Sequence, residues 1–295
     1  MYPEIQYKKE QDAITICGWN KENPVVVIPE TIEGLPVKRI GDYGFAETAI
    51  EKISLPDTVS EIGRYAFYRC MQLRELSFSD NLSEIASGAF TRCQLKKIYI
   101  RCTHGRQTNL KKILEEQRFE LDVYITYCIP GEKQENAHLI FPEHYEEAVE
   151  NTPARIVMTH YHGSGGEYRQ CVYNKSIDYG EYDSLFGKAK AQENKETAIR
   201  ISIARLTMPY ALGDRARKEY GRFLCENVRT VIQYLLHQED TDSLNVILNT
   251  KIWEEEQINE ALDVAAEYEN PAFNAVLMNE KGKENRVSRK KTFEL

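Results

Sequence analysis

Hydrophobic residues in the first hundred positions recur at intervals of 22 or 23 residues, a period much longer than that of one helix or strand. Isoleucine and phenylalanine each hold one position in three successive units: Ile40, Ile62 and Ile85, then Phe45, Phe67 and Phe90. Short alternating segments such as residues 53–55 point two side chains inward and one outward. Because one unit cannot bury its apolar side alone, we predict that the units stack as a solenoid with a short parallel sheet.

The segments that flank the repeats extend this solenoid. Before the repeats, residues 6–7 and 13–17 predict a hairpin that caps the open edge of the first unit. After them, residues 109–119 predict a helix and residues 123–125 predict a strand. We therefore expect the coil to continue for one helix-bearing turn.

Residues 126–190 show no repeat and predict a small mixed connecting module. Residues 143–150 follow a proline and predict a helix. Residues 155–160 and 168–173 alternate between apolar and polar positions, which predicts two strands around the Gly-rich turn at 162–166.

From residue 192 to residue 281 the apolar positions recur at helical spacing. Asp214 is a predicted N-cap, and Asp242 or Ser243 is another. Pro271 opens the last predicted helix, at a position where its missing N–H costs nothing. Short helices joined by a few polar residues are typical of an array of helix pairs.

These patterns predict an α+β chain with three regions. Residues 1–125 form the solenoid with its N-terminal hairpin cap, residues 126–190 the mixed module, and residues 191–295 a helical array. The array ends in a basic segment, residues 281–291, which we predict to be frayed.

The repeat has fixed residue types at fixed spacing. In the second unit these positions are Ile53-Ser54-Leu55-Pro56, Val59, Ile62-Gly63, Ala66-Phe67, Cys70 and Leu73. Ser79 and Ala86 replace the Pro and the Gly in the third unit, and Thr48 replaces the Cys in the first. Over residues 25–100 the pattern resembles the BspA-like class of bacterial leucine-rich repeats. The resemblance implies a right-handed coil that binds proteins or surfaces, and it supplies no catalytic residues.

The C-terminal helices resemble ankyrin-type helix pairs between residues 241 and 281, where the segment AAEYENPAFNAVL occurs. The T-P-L-H signature of ankyrin repeats is missing. This resemblance implies a scaffold and no particular reaction.

The outward side chains of the predicted sheet follow from the inward ones. They are Val27, Lys52, Ser54, Glu75, Ser77, Lys97 and Tyr99. We predict that they bind a protein partner, with Tyr99 as the anchor, because an exposed tyrosine offers a large contact area at low entropic cost. The alternative is that Lys52, Glu75 and Lys97 form only a cross-strand charge ladder.

Charge and composition narrow the choice of partner. The formal net charge of −8 disfavours nucleic acid, which requires a basic surface. The chain has no run of 18 apolar residues, and its first residues are polar, so we expect neither a membrane span nor secretion. Seven cysteines without a C-x-x-C motif predict reduced thiols and a cytoplasmic protein.

Candidate chemistry is confined to the Gly-rich turn. His160 and His162 share a face of the predicted strand and could ligate a metal, and Cys171 could form a thiolate pair with His160. A phosphate loop needs a helix directly after its glycines, whereas this sequence predicts a strand there. We therefore favour a plain hairpin and predict no catalytic residue, cofactor or metal. A small-ligand or metal-dependent site in residues 126–190 is the alternative.

Cys70 and Cys93 occupy one repeat position and are predicted to be buried apolar side chains rather than metal ligands. The sequence as a whole predicts a protein–protein interaction scaffold and not an enzyme. The repeat sheet is the first expected binding surface, and the helical array is the second.

Overall fold

The computed structural model describes residues 4–20, 23–151 and 156–292, and the side chains of residues 146–151, 156–162 and 284–292 lie outside this description. The chain divides into two compact units, Met1–Glu193 and Asn194–Leu295. The first contains the repeats, and the second is helical.

The first part of unit one is a solenoid of short strands. Its elements are β1 (Ile5–Lys9), β2 (Ile14–Trp19), β3 (Val25–Val27), β4 (Thr31–Ile32), β5 (Leu35–Ile40), β6 (Lys52–Ser54), β7 (Glu61–Ile62), β8 (Glu75–Ser79), β9 (Glu84–Ile85), β10 (Lys97–Cys102), α1 (Leu110–Leu114), β11 (Leu121–Tyr127) and β12 (Glu135–Phe141). The predicted hairpin is confirmed, because β1 pairs with β2 in antiparallel orientation and β2 joins the solenoid through β5.

Two sheets run along the solenoid. The smaller sheet has the strand order β1-β2-β5-β7-β9, with β4 paired to β5. The larger has the order β12-β11-β10-β8-β6-β3, in which neighbours pair in parallel except for the antiparallel pair β11–β12. The pairing of β10 with β11 confirms that the coil continues past the third unit.

A ladder of phenylalanines fills the interior of the coils. Phe45, Phe67 and Phe90 are fully buried. The ring centroids of Phe45 and Phe67 are 5.4 Å apart, and those of Phe67 and Phe90 are 5.1 Å apart, with nearly parallel planes. The sequence period therefore places identical side chains on top of one another, so each coil completes the core of the next.

A second ladder supplies hydrogen bonds to the carbonyls of these phenylalanines. The bonds are Thr48 Oγ1 to Phe45 O at 2.8 Å, Cys70 Sγ to Phe45 O at 2.9 Å, Cys93 Sγ to Phe67 O at 3.0 Å and Gln117 Nε2 to Phe90 O at 3.2 Å. The cysteines are buried as predicted, but they also act as donors, which explains why Thr48 can stand in the cysteine position. Contact with Cys70 and burial raise the pKa of the Cys93 thiol.

Helix α1 replaces the turn of the last coil, and side chains complete the backbone pairing there. In an earlier coil the N–H of Phe45 donates to the carbonyl of Ala66 in the next coil. The N–H groups of Gly88 and Phe90 instead donate to the carboxylate of Glu116, each at 2.8 Å. The predicted helix is thus confirmed over Leu110–Leu114. The Glu116 carboxylate, just beyond this helix, accepts from backbone N–H groups at the end of the solenoid that the next coil would otherwise satisfy.

Asp80 fixes the loop that follows β10. Its side chain is 3% exposed and accepts hydrogen bonds from the backbone N–H groups of Thr103, His104 and Gly105 at 3.0, 2.7 and 3.1 Å. Burial alone would raise the pKa of Asp80, but these donors and the His104 side chain outweigh it, so the net pKa is lowered.

We expect Asp80→Asn to lower the free energy of unfolding at neutral pH by about 1–3 kcal/mol. Because the pKa of Asp80 is lower in the folded chain, its contribution is present above the unfolded value of about 3.9 and is lost as the pH falls through the folded value. In urea unfolding between about pH 5 and pH 3, the free energy of unfolding of the variant should therefore fall less steeply with decreasing pH than that of wild type. The exposed Asp12→Asn is the control, and an unchanged slope in Asp80→Asn would contradict the prediction.

The rest of unit one contains β13 (Tyr145–Asn151), β14 (Ile156–His162), α2 (Gly165–Gln170), β15 (Val172–Tyr173), β16 (Ser176–Ile177), α3 (Tyr179–Ser184) and α4 (Phe186–Gln192). The predicted helix at 143–150 is wrong, because pairing with β14 satisfies the backbone of β13 and overrides helix propensity. The predicted strand at 168–173 is wrong over its first half, which lies in α2, and is confirmed only at Val172–Tyr173, which form β15.

Arg169 joins this segment to the solenoid. Its guanidinium is buried and donates to four backbone carbonyls: Gln117 at 3.0 Å, Phe119 at 2.8 Å, Pro142 at 2.5 Å and Gly165 at 2.9 Å. Burial lowers the pKa of Arg169 to about 10, which leaves the group charged at neutral pH. One side chain thus holds the segment between α1 and β11, the end of β12 and the start of α2.

Unit two consists of α5 (Lys195–Thr207), α6 (Asp214–Cys225), α7 (Val228–His237), α8 (Thr241–Asn249), α9 (Glu255–Glu267) and α10 (Pro271–Thr292). Pro271 opens α10 as predicted, but two predicted caps are wrong. Gly213 precedes α6, so Asp214 is already helical. The cap of α8 is Asp240, whose side chain accepts from the N–H of Ser243 at 2.8 Å.

Helix α10 also includes the basic segment predicted to be frayed, since it continues to Thr292. Within the described residues, no helix combines the length and apolar character needed to cross a membrane.

Candidate functional site

The larger sheet carries a column of side chains in register on the side away from the core. The column runs across six strands in the order Val27, Ser54, Ser77, Tyr99, Tyr124 and His138. Their neighbours Ile53, Leu76 and Ile98 are fully buried, so the column lies on the outer surface. It contains four of the seven predicted binding residues.

A parallel column carries the other three. It consists of Val25, Lys52, Glu75, Lys97 and Asp122 in register. Lys52 Nζ lies 2.9 Å from Glu75 Oε2, and this hydrogen bond raises the pKa of Lys52. An exposed pair of this kind contributes about 0–1 kcal/mol, so the charge ladder is not the main source of stability for the sheet.

Three rings stack at the β12 end of the first column. The ring centroids of Tyr99 and Tyr124 are 5.1 Å apart, and those of Tyr124 and His138 are 4.0 Å apart. His138 Nε2 lies 2.8 Å from Asp122 Oδ1, which fixes the imidazole over the tyrosine. Burial raises the pKa of Tyr99. The result is a preformed aromatic platform whose three members are partly buried, with the His138 side chain 13% exposed.

Sequence reasoning missed two members of this platform. Tyr124 could have been found by extending the repeat, because it lies at the centre of the predicted strand 123–125. His138 belongs to the antiparallel strand β12, which follows no repeat period. We use the term sheet face for the seven predicted residues together with Tyr124 and His138.

The repeats can be compared with known proteins on this basis. The family model described as BspA type leucine rich repeat region, with six copies, matches residues 37–120. The repeat region belongs to the BspA-type leucine-rich repeat family. No curated protein matches the chain.

Solved leucine-rich repeat proteins are similar to about a third of this chain. A leucine-rich repeat protein from Bacteroides capillosus is 30% identical, with 33% of this chain and 78% of that chain covered and a TM-score of 0.30. A leucine rich cell surface protein from Faecalibacterium prausnitzii is 25% identical, with 34% of this chain and 31% of that chain covered and a TM-score of 0.28. This chain thus spans about a third of the length of the Faecalibacterium protein.

The residues proposed for chemistry lie after the BspA-type repeats. His160 and His162 are on β14, and their side chains lie outside the described residues. Cys171 is fully buried, and burial raises the pKa of its thiol to about 12, so it does not form a thiolate at neutral pH. In the described part of the chain, no three His, Cys, Asp or Glu side chains lie close enough to hold a metal ion.

The Gly-rich turn leads into α2 rather than into the predicted strand. The carboxylate of Glu193 accepts from the backbone N–H of Ser164 at 2.6 Å and from its hydroxyl at 2.7 Å. A carboxylate therefore already lies at the start of this short helix. An incoming phosphate would be repelled by that charge.

A cavity of about 670 Å³ lies beside this turn. Lys111, His144, Gly166, Arg169 and Lys188 are among the residues that line it, and Cys171 is not. Cationic and acidic side chains both face this space, since Glu115, Glu167 and Glu181 also line it.

Proposed function

We propose that this protein is a protein-binding scaffold and that the sheet face of its BspA-type repeats is the contact surface. The Tyr99–Tyr124–His138 stack is the observation that carries the proposal. Aromatic side chains anchor interfaces well, and rings already fixed by stacking lose little entropy on binding.

The remainder of the sheet face supports the same role. Ser54 and Ser77 are small and half-buried, so they leave a shallow floor beside Tyr99 on which a partner can lie. Lys52 and Lys97 are exposed at its margin, where charge affects orientation and association rate more than affinity.

The test is an affinity capture from the cells that produce the protein. Ser54→Arg/Ser77→Arg/Tyr99→Ala disrupts the sheet face, and Ser83→Arg/Ser176→Arg/Tyr173→Ala makes the same changes at exposed positions elsewhere. We expect the captured partner to bind the sheet-face variant at least about 30-fold more weakly and the control as wild type does. Equal binding to all three folded proteins would rule out the sheet face.

We further propose that the helical unit is an ankyrin-like array that offers a second binding surface. Helices α5 and α7, α7 and α9, and α8 and α10 pack together. Helices α5, α7 and α8 thus each contact the helix two places further along the chain, as stacked helix pairs do.

A small-ligand site is the second candidate, and the 670 Å³ cavity favours it because pockets for small molecules are of this size. Gly166→Arg would fill the cavity, since a Cβ there meets only His144 Cδ2 at 3.9 Å. Compounds that raise the melting temperature of wild type but not of Gly166→Arg would support this site. A broad screen without such compounds would contradict it.

A cytoplasmic location also belongs to this proposal. All seven cysteines are free thiols, and free thiols persist in reducing compartments. The Faecalibacterium relative is named a cell surface protein, and cell fractionation would show whether this chain shares that location.

A further inference from the structure

A tyrosine ladder lies on a different segment of each coil from the sheet face. Tyr43 follows β5, and Tyr65 and Tyr68 follow β7. The rings of Tyr43 and Tyr65 stack with centroids 5.4 Å apart, and Tyr68 meets Tyr65 edge-on at 5.6 Å. Tyr43 is 57% exposed and Tyr65 is 37% exposed, so this ladder is a surface feature, unlike the phenylalanine ladder inside.

The backbone under this ladder favours glycine. Tyr43 and Tyr65 have φ angles of 56° and 54°, and Gly88 occupies the same position of the next coil with φ 75°. Left-handed backbone is rare for bulky residues, and Gly88 shows that the coil closes without a side chain there. The tyrosines are therefore held in an unfavourable conformation without adding to the core, which points to a role at the surface.

Gly88 also accommodates the ladder. A Cβ built on Gly88 would lie 2.3 Å from Cε1 of Tyr65, so the ring of Tyr65 rests against the bare glycine backbone. Tyr43 stacks on the ring of Tyr65 and Gly88 lies against it, while 37% of Tyr65 stays exposed to solvent. The edge of an aromatic ring carries positive partial charge, and a phenol can donate a hydrogen bond.

Arginines adjoin the ladder in the chain: Arg64 precedes Tyr65, Arg69 follows Tyr68, and Arg92 holds the position of Arg69 in the next coil. Arg64 and Arg92 are exposed and form no ion pair with the described carboxylates, whereas Arg69 pairs with Glu47 at 3.1 Å. Asp42 is occupied by the side chain of Arg39 and the backbone N–H of Arg64. The surface thus combines exposed guanidinium groups with phenol donors, which are complementary to carboxylates.

We propose that the tyrosine ladder, with Arg64, Arg69 and Arg92, is a docking surface for a carboxylate-rich segment of another protein. The proposal does not depend on the sheet face. The chain carries a formal net charge of −8, so long-range electrostatics oppose an acidic partner. Binding of an acidic peptide therefore has to come from short-range contacts at this surface. Such binding is for that reason a specific test of the docking surface.

The probe is a fluorescein-labelled dodecapeptide of alternating Glu and Ala, with a Gln–Ala peptide for comparison. Fluorescence anisotropy is measured with the full chain at low salt. Tyr43→Gly/Tyr65→Gly removes the ladder while keeping residues suited to the left-handed backbone, and Arg64→Ser/Arg92→Ser removes two exposed arginine side chains. Tyr173→Gly/Arg215→Ser is the control at exposed positions elsewhere.

We expect wild type to bind the Glu–Ala peptide saturably and the Gln–Ala peptide at least about tenfold more weakly. The tyrosine variant should bind the Glu–Ala peptide at least about tenfold more weakly than wild type does. The arginine variant, whose substitutions lie at exposed positions, should also bind about tenfold more weakly, and the control should bind as wild type does. Equal binding of the two peptides, or unchanged binding by the arginine variant, would overturn the proposal. Failure of the Glu–Ala peptide to saturate wild type would do the same.

Discussion

Replacing Phe67 with alanine is expected to lower the free energy of unfolding of unit one by about 3–5 kcal/mol. Phe67 is fully buried between the rings of Phe45 and Phe90, at 5.4 and 5.1 Å. Its removal leaves a cavity that both neighbouring coils line, and close stacking prevents them from collapsing into it. Urea unfolding followed by tyrosine fluorescence and circular dichroism would measure the loss.

Phe119→Ala is the matched control, because Phe119 is 39% exposed. Its cost should stay below about 1.5 kcal/mol. A Phe67→Ala protein as stable as this control would show that the phenylalanine ladder does not hold the coils together.

Replacing Arg169 with methionine should cost about 3–5 kcal/mol, a loss comparable to that of breaking a buried ionic contact. Methionine keeps much of the side-chain length, but it leaves the four carbonyls of Gln117, Phe119, Pro142 and Gly165 without this donor. Arg169→Lys should recover little, since one ammonium cannot reach acceptors spread around a planar guanidinium. Chemical unfolding of both variants measures the two losses.

Arg92→Met provides the control for Arg169→Met, because Arg92 is exposed. We expect it to change the free energy of unfolding by less than about 0.5 kcal/mol. An Arg169→Lys protein within about 1 kcal/mol of wild type would mean that the four-way contact is not the source of stability.

The solenoid could be predicted because its information is periodic. Ile62, Phe67 and Cys70 each have equivalents 23 residues later, so one repeat indicates the environment of the next. The same period placed the seven predicted surface residues in two columns, as the strand register shows. Their role in binding stays a prediction.

Features that depend on contacts distant in sequence could not be predicted. His138 reaches the sheet face through an antiparallel strand, and Glu116 pairs with backbone groups 26 and 28 residues away. Local propensity also failed for β13, whose Glu-rich sequence favours a helix but whose backbone pairs with β14. Arg169 could not be singled out from the sequence, because three of its four acceptors are 27 to 52 residues away.

The most direct test of the proposed function is site-specific photocrosslinking from the sheet face in the cells that produce the protein. A photoreactive phenylalanine analogue placed at Ser77 should crosslink a defined protein partner, whereas the same group at Ser83 or Ser176 should not. That result would place the partner on the central strands of the larger sheet. Crosslinks from Ser83 or Ser176 but none from Ser77 would contradict the proposal.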